Sequence, residues 1–561
     1  MNRPKDLFKQ SKIPSNRARL TLFIEQFIRR CPKTGRIIGI RRDSKMSRLF
    51  FPVIGLAAVI WLLVRVIPKP SRAAYPCQRV AAGIVGSFLA YAIGIIASFS
   101  LCHRIRRHLT RPVTAVLVTS CVAFGLIAVV ITGSLCADPK VAVLTSPEGC
   151  NRPMGQARGI YPGRVVWVQD FDATSWDSKN GHWWDDNNTE QKVVEVMFSQ
   201  ALQKLTGATS DADAWDALFR YHNKANGRGD RSYQKNEKIT IKLNCNTDRE
   251  PSAQWGKKGY ASPHMVYTLI TQLIEQASVP GAQITLTDPS RHIGDPIYNK
   301  VRSNPKPDYQ QVVFAEKADR DEPKRVYAEP DMTCPIHFDM PDGTKRTFYF
   351  PKVFTQATYL INAGQFRPHS IFGITMAGKN HFGSVYDGQT YTPSPLHAFA
   401  VWDYSHPNKH GDPHCHPSLL GHKVTNGKTF LYILDGLYTS HTQGGDIIRW
   451  STMDNDWFSS VLMSQDPVAL DSVGYDFVRS EANLIKGNNS FNGHVDSFLH
   501  ESALAHQPPS GAIYDPEKDG TRLRSIGVHE HWNNPADKRY SRNLGTGNGI
   551  ELISVTAGAK K

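Results

Sequence analysis

Three apolar runs near the amino end constrain this chain more than any other feature. Residues 49–67 are interrupted only by Arg65 near the end of the run. Residues 80–102 and 113–136 contain no charged side chain. At about 1.5 Å of rise per residue, the second and third runs are long enough to cross a bilayer core of roughly 30 Å. All three read as transmembrane α-helices. A cleaved signal peptide does not fit, because the first run begins almost 50 residues in and two more follow it.

The charge is divided in the same place. The chain of 561 residues carries a formal charge of +16, which resembles that of a nucleic-acid binder. Residues 1–136, however, hold 22 Lys and Arg against 3 Asp and Glu, leaving 44 against 47 from residue 137 onward. The exported part is therefore slightly acidic, and no nucleic-acid partner is expected. Loops rich in Lys and Arg stay in the cytoplasm. Segment 1–48 carries 14 basic residues and the "HRIRRHLTRP" loop 4, against 3 in the "PKPSRAAYPCQR" loop. The expected layout is a basic cytoplasmic segment (1–48), a membrane domain (49–136), a linker (137–162), an exported α/β domain (163–552) and a tail (553–561). The chain is expected in the inner membrane with its amino terminus inside.

The exported part alternates strand and helix signals. "RVVWVQD", "KITIKLN", "QITLTD", "ATYLIN" and "FLYILD" are short runs rich in β-branched and aromatic residues. Ser262 and Pro263 open a helical pattern between the second and third, and Asp466-Pro467 opens another. The expected fold class is α/β, with a mostly parallel or mixed sheet and flanking helices, preceded by the three transmembrane helices. All five strand candidates end in a carboxylate or amide: Asp170, Asn244, Asp288, Asn362 and Asp435. Ligands of open α/β sheets bind beyond the carboxyl ends of the strands, so these residues predict a polar rim. The stretch "MAGKNHFGS" sets Lys379, Asn380 and His381 side by side after a 13-residue loop and is expected to hang over that rim. Taken alone, it would be a polar turn.

Several segments together resemble a family. "KITIKLNCNT", "SPHMVYTLITQLIEQASVPGAQITLTDPSR", "YLINAGQFRPHSIFGITMAGKNHFGSV", "ILDGLY" and "MSQDPVALDSVGYDFV" are similar, in this order, to the motifs of the domain of unknown function 362 family, from about residue 163 to 552. The resemblance implies an α/β domain of undefined activity, in a family whose members sometimes carry ferredoxin-like clusters. This chain departs from it where a Lys-x-His element is expected, with Phe366 and Arg367 standing before Pro368 and His369.

Two histidine groups invite a metal. In "SIGVHEHWNN", His529 and His531 would share one face of a strand with Glu530 pointing away, so a divalent metal is a candidate cofactor there. The run "HPNKHGDPHCHPSLLGH" holds His406, His410, His414, Cys415, His416 and His422 and reads as an exposed loop. Cys150, Cys245, Cys334 and Cys415 are far apart, with no Cys-x-x-Cys, so no iron–sulfur cluster is expected. They are as compatible with disulfides as with free thiols. In "GTGNGIELISV" the glycines precede a strand, the wrong order for a dinucleotide site.

Two functions fit these residues. In the first, the rim is an enzyme site: Lys379, His381, Asp288 and Asp435 do acid–base or cation work, while Lys242, Asn244, His369 and Asn380 bind an anionic small molecule. In the second, the same groups bind a ligand or metal without turnover, as an envelope module.

Overall fold

The chain divides into two units, Met1–Asp138 and Pro139–Lys561. The computed structural model describes residues 149–246, 256–399, 412–481, 484 and 494–557, with two short strands in the first unit. Those strands, Ile28–Arg30 and Ile37–Ile40, pair antiparallel. The three apolar runs lie outside the described residues. No helix among the described residues is long and apolar enough to cross a membrane.

In the second unit the short apolar runs become strands because both faces of each are covered. The sheet comprises β1 (Arg164–Asp170), β2 (Ile239–Lys242), β3 (Ile284–Thr287), β4 (Val313–Glu316), β5 (Arg325–Tyr327), β6 (Tyr359–Gln365), β7 (Thr429–Gly436), β8 (Ser460–Ser464) and β9 (Glu551–Ala557). Their order across the sheet is β9-β1-β8-β7-β6-β2-β3-β4-β5. Every neighbouring pair is parallel except those made by β8, which runs against both β1 and β7. The five strands expected from sequence therefore point the same way, and the sheet is mixed through β8.

Side chains alternate along each strand, so one strand feeds two cores. Val166, Val168, Ile239, Ile241, Ile361 and Ile433 pack with helices α1 (Gln191–Thr206), α2 (Asp211–Ala225) and α3 (Pro263–Thr271). Val165, Trp167, Tyr432, Leu434 and Leu462 belong to a second core, completed by helices that follow later in the chain. Fully burying one such side chain contributes about 1.5–3 kcal/mol, so the alternation fixes the register. The later helices are α4 (Met376–Asn380), α5 (His416–Gly421), α6 (Pro467–Ser480) and α7 (His494–Ala503). The two helix starts read from sequence carry their caps: Ser262 accepts from the Met265 amide, and Asp466 accepts from Val468 and Ala469.

Three expectations change, and one of two open readings, that of the cysteines, is decided. β6 does not stop at Asn362 but continues to Gln365. β9 runs past residue 552 to Ala557, and Met154–Gly155 pairs with Val528–His529, so residues on both sides of 163–552 join the fold. The four described cysteines are free thiols. The histidine-rich run is not an exposed loop where it is described. The His416 ring stacks on Phe498 at 4.1 Å, His414 Nε2 meets Ser497 Oγ at 3.1 Å, and the buried His422 accepts from the Val424 amide. His406 and His410 lie outside the described residues. Replacing His414 and His416 together by alanine is expected to cost about 2 kcal/mol or more in denaturant unfolding. An unchanged midpoint would return the run to the surface.

Candidate functional site

The "GKNHFG" stretch is helical and pressed onto the strand ends rather than hanging over them. Helix α4 has no side-chain cap of its own at Thr375, and Met376 adopts φ of 28°. Its first amides, from Ala377 and Gly378, instead donate to the Asp471 carboxylate of α6, each at 2.8 Å. Burial pushes the Asp471 pKa up to about 7, against those two bonds. A 3-10 turn, His381–Ser384, follows directly. Its Gly383 has ordinary φ, and the demand there is space: an added Cβ would lie 2.4 Å from Ser290 Oγ.

This docking makes Asn380 the knot between the ends of β2 and β6. Its Nδ2 donates to Lys242 O (3.1 Å) and to Asn362 Oδ1 (2.8 Å). Its Oδ1 accepts from Lys242 Nζ (3.2 Å) and Asn244 Nδ2 (3.3 Å). That is the full capacity of an amide. Arg367 then holds Asn244 Oδ1 at 2.6 Å and donates to the Gly259 carbonyl.

Beyond the knot lies a cavity of about 600 Å3, lined by Lys242, Asn244, Asp288, Arg291, Lys317, His369, Lys379, Asn380, Phe382 and His397 among others. Four of these are Lys or Arg, and Asp288 is the one carboxylate. Asp288 is committed: it lies 3.4 Å from Lys242 Nζ and accepts from the Cys245 amide and from Ser290. Lys242 is committed too, donating to Leu243 O and Asn380 Oδ1; burial pulls its pKa down in spite of Asp288. Arg291 is fastened to Asn246 and Ser290 carbonyls.

Lys379 differs. It is buried, its ammonium lies 4.0 Å over the Phe382 ring and 3.4 Å from His397 Nε2, and no carboxylate pairs with it among the described residues. Burial lowers its pKa to about 7. His369 Nδ1 accepts from the Ile371 and Phe372 amides, so its proton sits on Nε2, and burial beside Lys379 holds the ring neutral.

The structure brings together Lys242, Asn244, Asp288, His369, Lys379 and Asn380, all on the cavity wall. It withdraws two expected residues from that wall. His381 packs behind it, with Nε2 3.1 Å from Asn362 Nδ2, and burial drives its pKa to about 3; it cannot exchange protons near neutrality. Asp435 accepts from the Ser262 and Leu437 amides, so it fixes the start of α3 and not a ligand; burial raises its pKa to about 6. Arg291, Lys317, Phe382 and His397 were missed. Arg291 follows the predicted strand "QITLTD" by three residues, a signal within reach, whereas His397 arrives from a 3-10 turn (Ser394–Phe399) with no pattern of its own.

Every residue on the cavity wall lies between positions 242 and 443. Residues 239–476 match the family model described as Domain of unknown function (DUF362). The matched stretch thus contains the whole cavity. No curated protein matches the chain. Among solved structures, the lactate racemase apoprotein from Thermoanaerobacterium thermosaccharolyticum is similar at 10% identity and a TM-score of 0.28, over 58% of this chain and 62% of that one. The chain thus spans less than two thirds of that protein's length.

His529 and His531 lie outside the matched stretch and do not line the cavity. As expected of residues two apart, their rings share one side, with centroids 4.8 Å apart, while Glu530 turns away to accept from Ser541 and Ile550. His531 lies between Asp476 (2.7 Å) and Asp496 (3.0 Å). Burial opposes charge there, but the two carboxylates outweigh it and raise the His531 pKa to about 9.

Proposed function

We propose that the DUF362 cavity is the active site of an enzyme acting on a small anionic compound, with Lys379 as the group that binds its charge and exchanges a proton with it. The supporting observation is Lys379 itself: a buried amine in an open cavity, without a carboxylate partner among the described residues. A lysine poised near neutrality divides between ammonium, which attracts an anion, and free amine, which accepts a proton. Arg291, Lys317 and the Nε2 proton of His369 add donors around the same space. The second reading, a binding module without turnover, draws on the commitment of Asp288 to Lys242 and Ser290, which leaves no carboxylate for acid–base work.

Calorimetric titration with inorganic phosphate, a dicarboxylate and a phosphomonoester tests the reading. One of them is expected to bind at one site per chain, and the others of similar size to compete. No binding by any of the three would overturn the anion site. Binding followed by no conversion in a metabolite mixture would favour the module.

We also propose that the chain is anchored in the inner membrane by residues 49–136, with the DUF362 domain outside the cytoplasm. The support is the basic bias of the amino end and the three uncharged or nearly uncharged runs. A reporter active only outside the cytoplasm, fused after Lys561, should be active; fused in the "HRIRRHLTRP" loop it should be silent. The opposite pattern would remove the exported assignment.

A further inference from the structure

We infer that Asp496, His529 and His531 hold a divalent transition-metal ion, zinc by the chemistry of its donors, which fastens the carboxyl-terminal segment to helix α7. One ligand atom from each of the three lies within 4.8 Å of the others, and all three residues are buried. Tetrahedral donors at about 2.0–2.2 Å from a common zinc stand about 3.3–3.6 Å apart, so the widest separation shortens, while His531 Nε2 and Asp496, 3.0 Å apart across a proton, release that proton in exchange for the ion.

The hydrogen bonds behind the two imidazoles favour a metal-binding arrangement. Ser472 Oγ directs its single proton to the Val468 carbonyl at 2.6 Å. Toward His529 Nδ1, 2.8 Å away, it therefore acts as acceptor, which puts the imidazole proton on Nδ1 and a lone pair on Nε2. Asp476 takes Nδ1–H of His531 at 2.7 Å, turning that ring's Nε2 toward Asp496. A hydroxyl and a carboxylate thus orient the two rings from outside, the pattern that fixes ligand histidines in metal sites. Both come from helix α6. Two imidazoles and one carboxylate suit zinc. His500, one turn after Asp496 on α7 and with its ring 5.1 Å from that of His529, stands beside the set. The three are buried and none lines the cavity, which makes this a structural ion and not a second catalytic centre.

The test uses the full chain, without an affinity tag, in detergent. Elemental analysis after gel filtration should find about one zinc, or one other first-row divalent metal, per chain. X-ray absorption at that metal's edge should report histidine imidazoles together with an oxygen donor. His529→Ala and Asp496→Asn should each abolish the retained metal. Ser472→Ala, which removes only the supporting bond, should weaken affinity about 10-fold or more in competition with a chromophoric chelator. Should either ligand variant fail to fold, the parent's absorption spectrum and Ser472→Ala decide. The inference is overturned if the parent takes up no metal from zinc-containing buffer, or if its spectrum lacks imidazole. It is equally overturned if both ligand variants keep their zinc, which would put the ion elsewhere, for example on the histidines of 406–422.

Discussion

Replacing Asn380 by alanine should destabilise the fold by about 3 kcal/mol or more, as read from denaturant unfolding. The amide is almost fully buried and makes four hydrogen bonds to Lys242, Asn244 and Asn362. Alanine would leave donors and acceptors from three residues without that partner in a place water reaches poorly. Each such group costs about 1–3 kcal/mol, though not additively. The loss would also loosen α4 from the strand ends and so blur the cavity wall. A change under about 0.5 kcal/mol, the usual size at an exposed position, would mean that Asn380 sits in an open turn.

Replacing Lys379 by methionine is expected to do the reverse: little or no loss of stability, and a large loss of function. Methionine keeps the stem against Phe372 and Phe382 and removes a buried charge that has no carboxylate partner among the described residues. The unfolded amine titrates near 10.5 and the folded one near 7. The folded state therefore holds fewer protons between those values, and the stability contribution of this group rises with pH across that window. The burial penalty is complete below about pH 7, where the parent should be no more stable than the variant. Anion affinity follows the opposite course. A bound anion prefers the ammonium, so the parent's affinity should fall as pH rises through 7, approaching tenfold per pH unit above it. Lys379→Met should bind at least tenfold more weakly at pH 6, a loss of about 1.4 kcal/mol or more, and should lose the pH dependence. Equal binding by parent and variant across that range would remove Lys379 from the site.

The strands of this fold were legible because β-branched runs between turn residues admit few other readings, and the caps at Ser262 and Asp466 marked two helices outright. β8 was not legible: "SVLMS" is five residues with no alternation, and only its neighbours β1 and β7 make it a strand. The site was half legible. Lys379 and Asn380 are found by adjacency, and Asn244 and Asp288 by their places at strand ends. His381 and Asp435 satisfied the same criteria, yet face inward, because one residue of difference along a short helix or a strand end turns a side chain from cavity to core. The third partner of His529 and His531 was beyond reach for another reason. Asp496 precedes them by more than 30 residues, and no spacing rule joins a helix to a later strand.

Helix α6 carries aspartates at its cap and at two positions within it, 466, 471 and 476, each five residues from the next and so about 140° further round the axis. Each reaches a different part of the chain. Asp466 accepts from the amides of Arg158 and Val528, Asp471 from those of α4, and Asp476 from His531, Trp532 and Tyr540. The helix acts as a hub with three spokes, so the last residue of the DUF362 match is not an edge of the folding unit. A fragment ending at Asp476 would keep the entire cavity wall and Asp471, and lose the later partners of Asp466 and Asp476 that hold the helix in place. The recurrent motif and the cooperative unit have different boundaries in this protein, and the second is the larger.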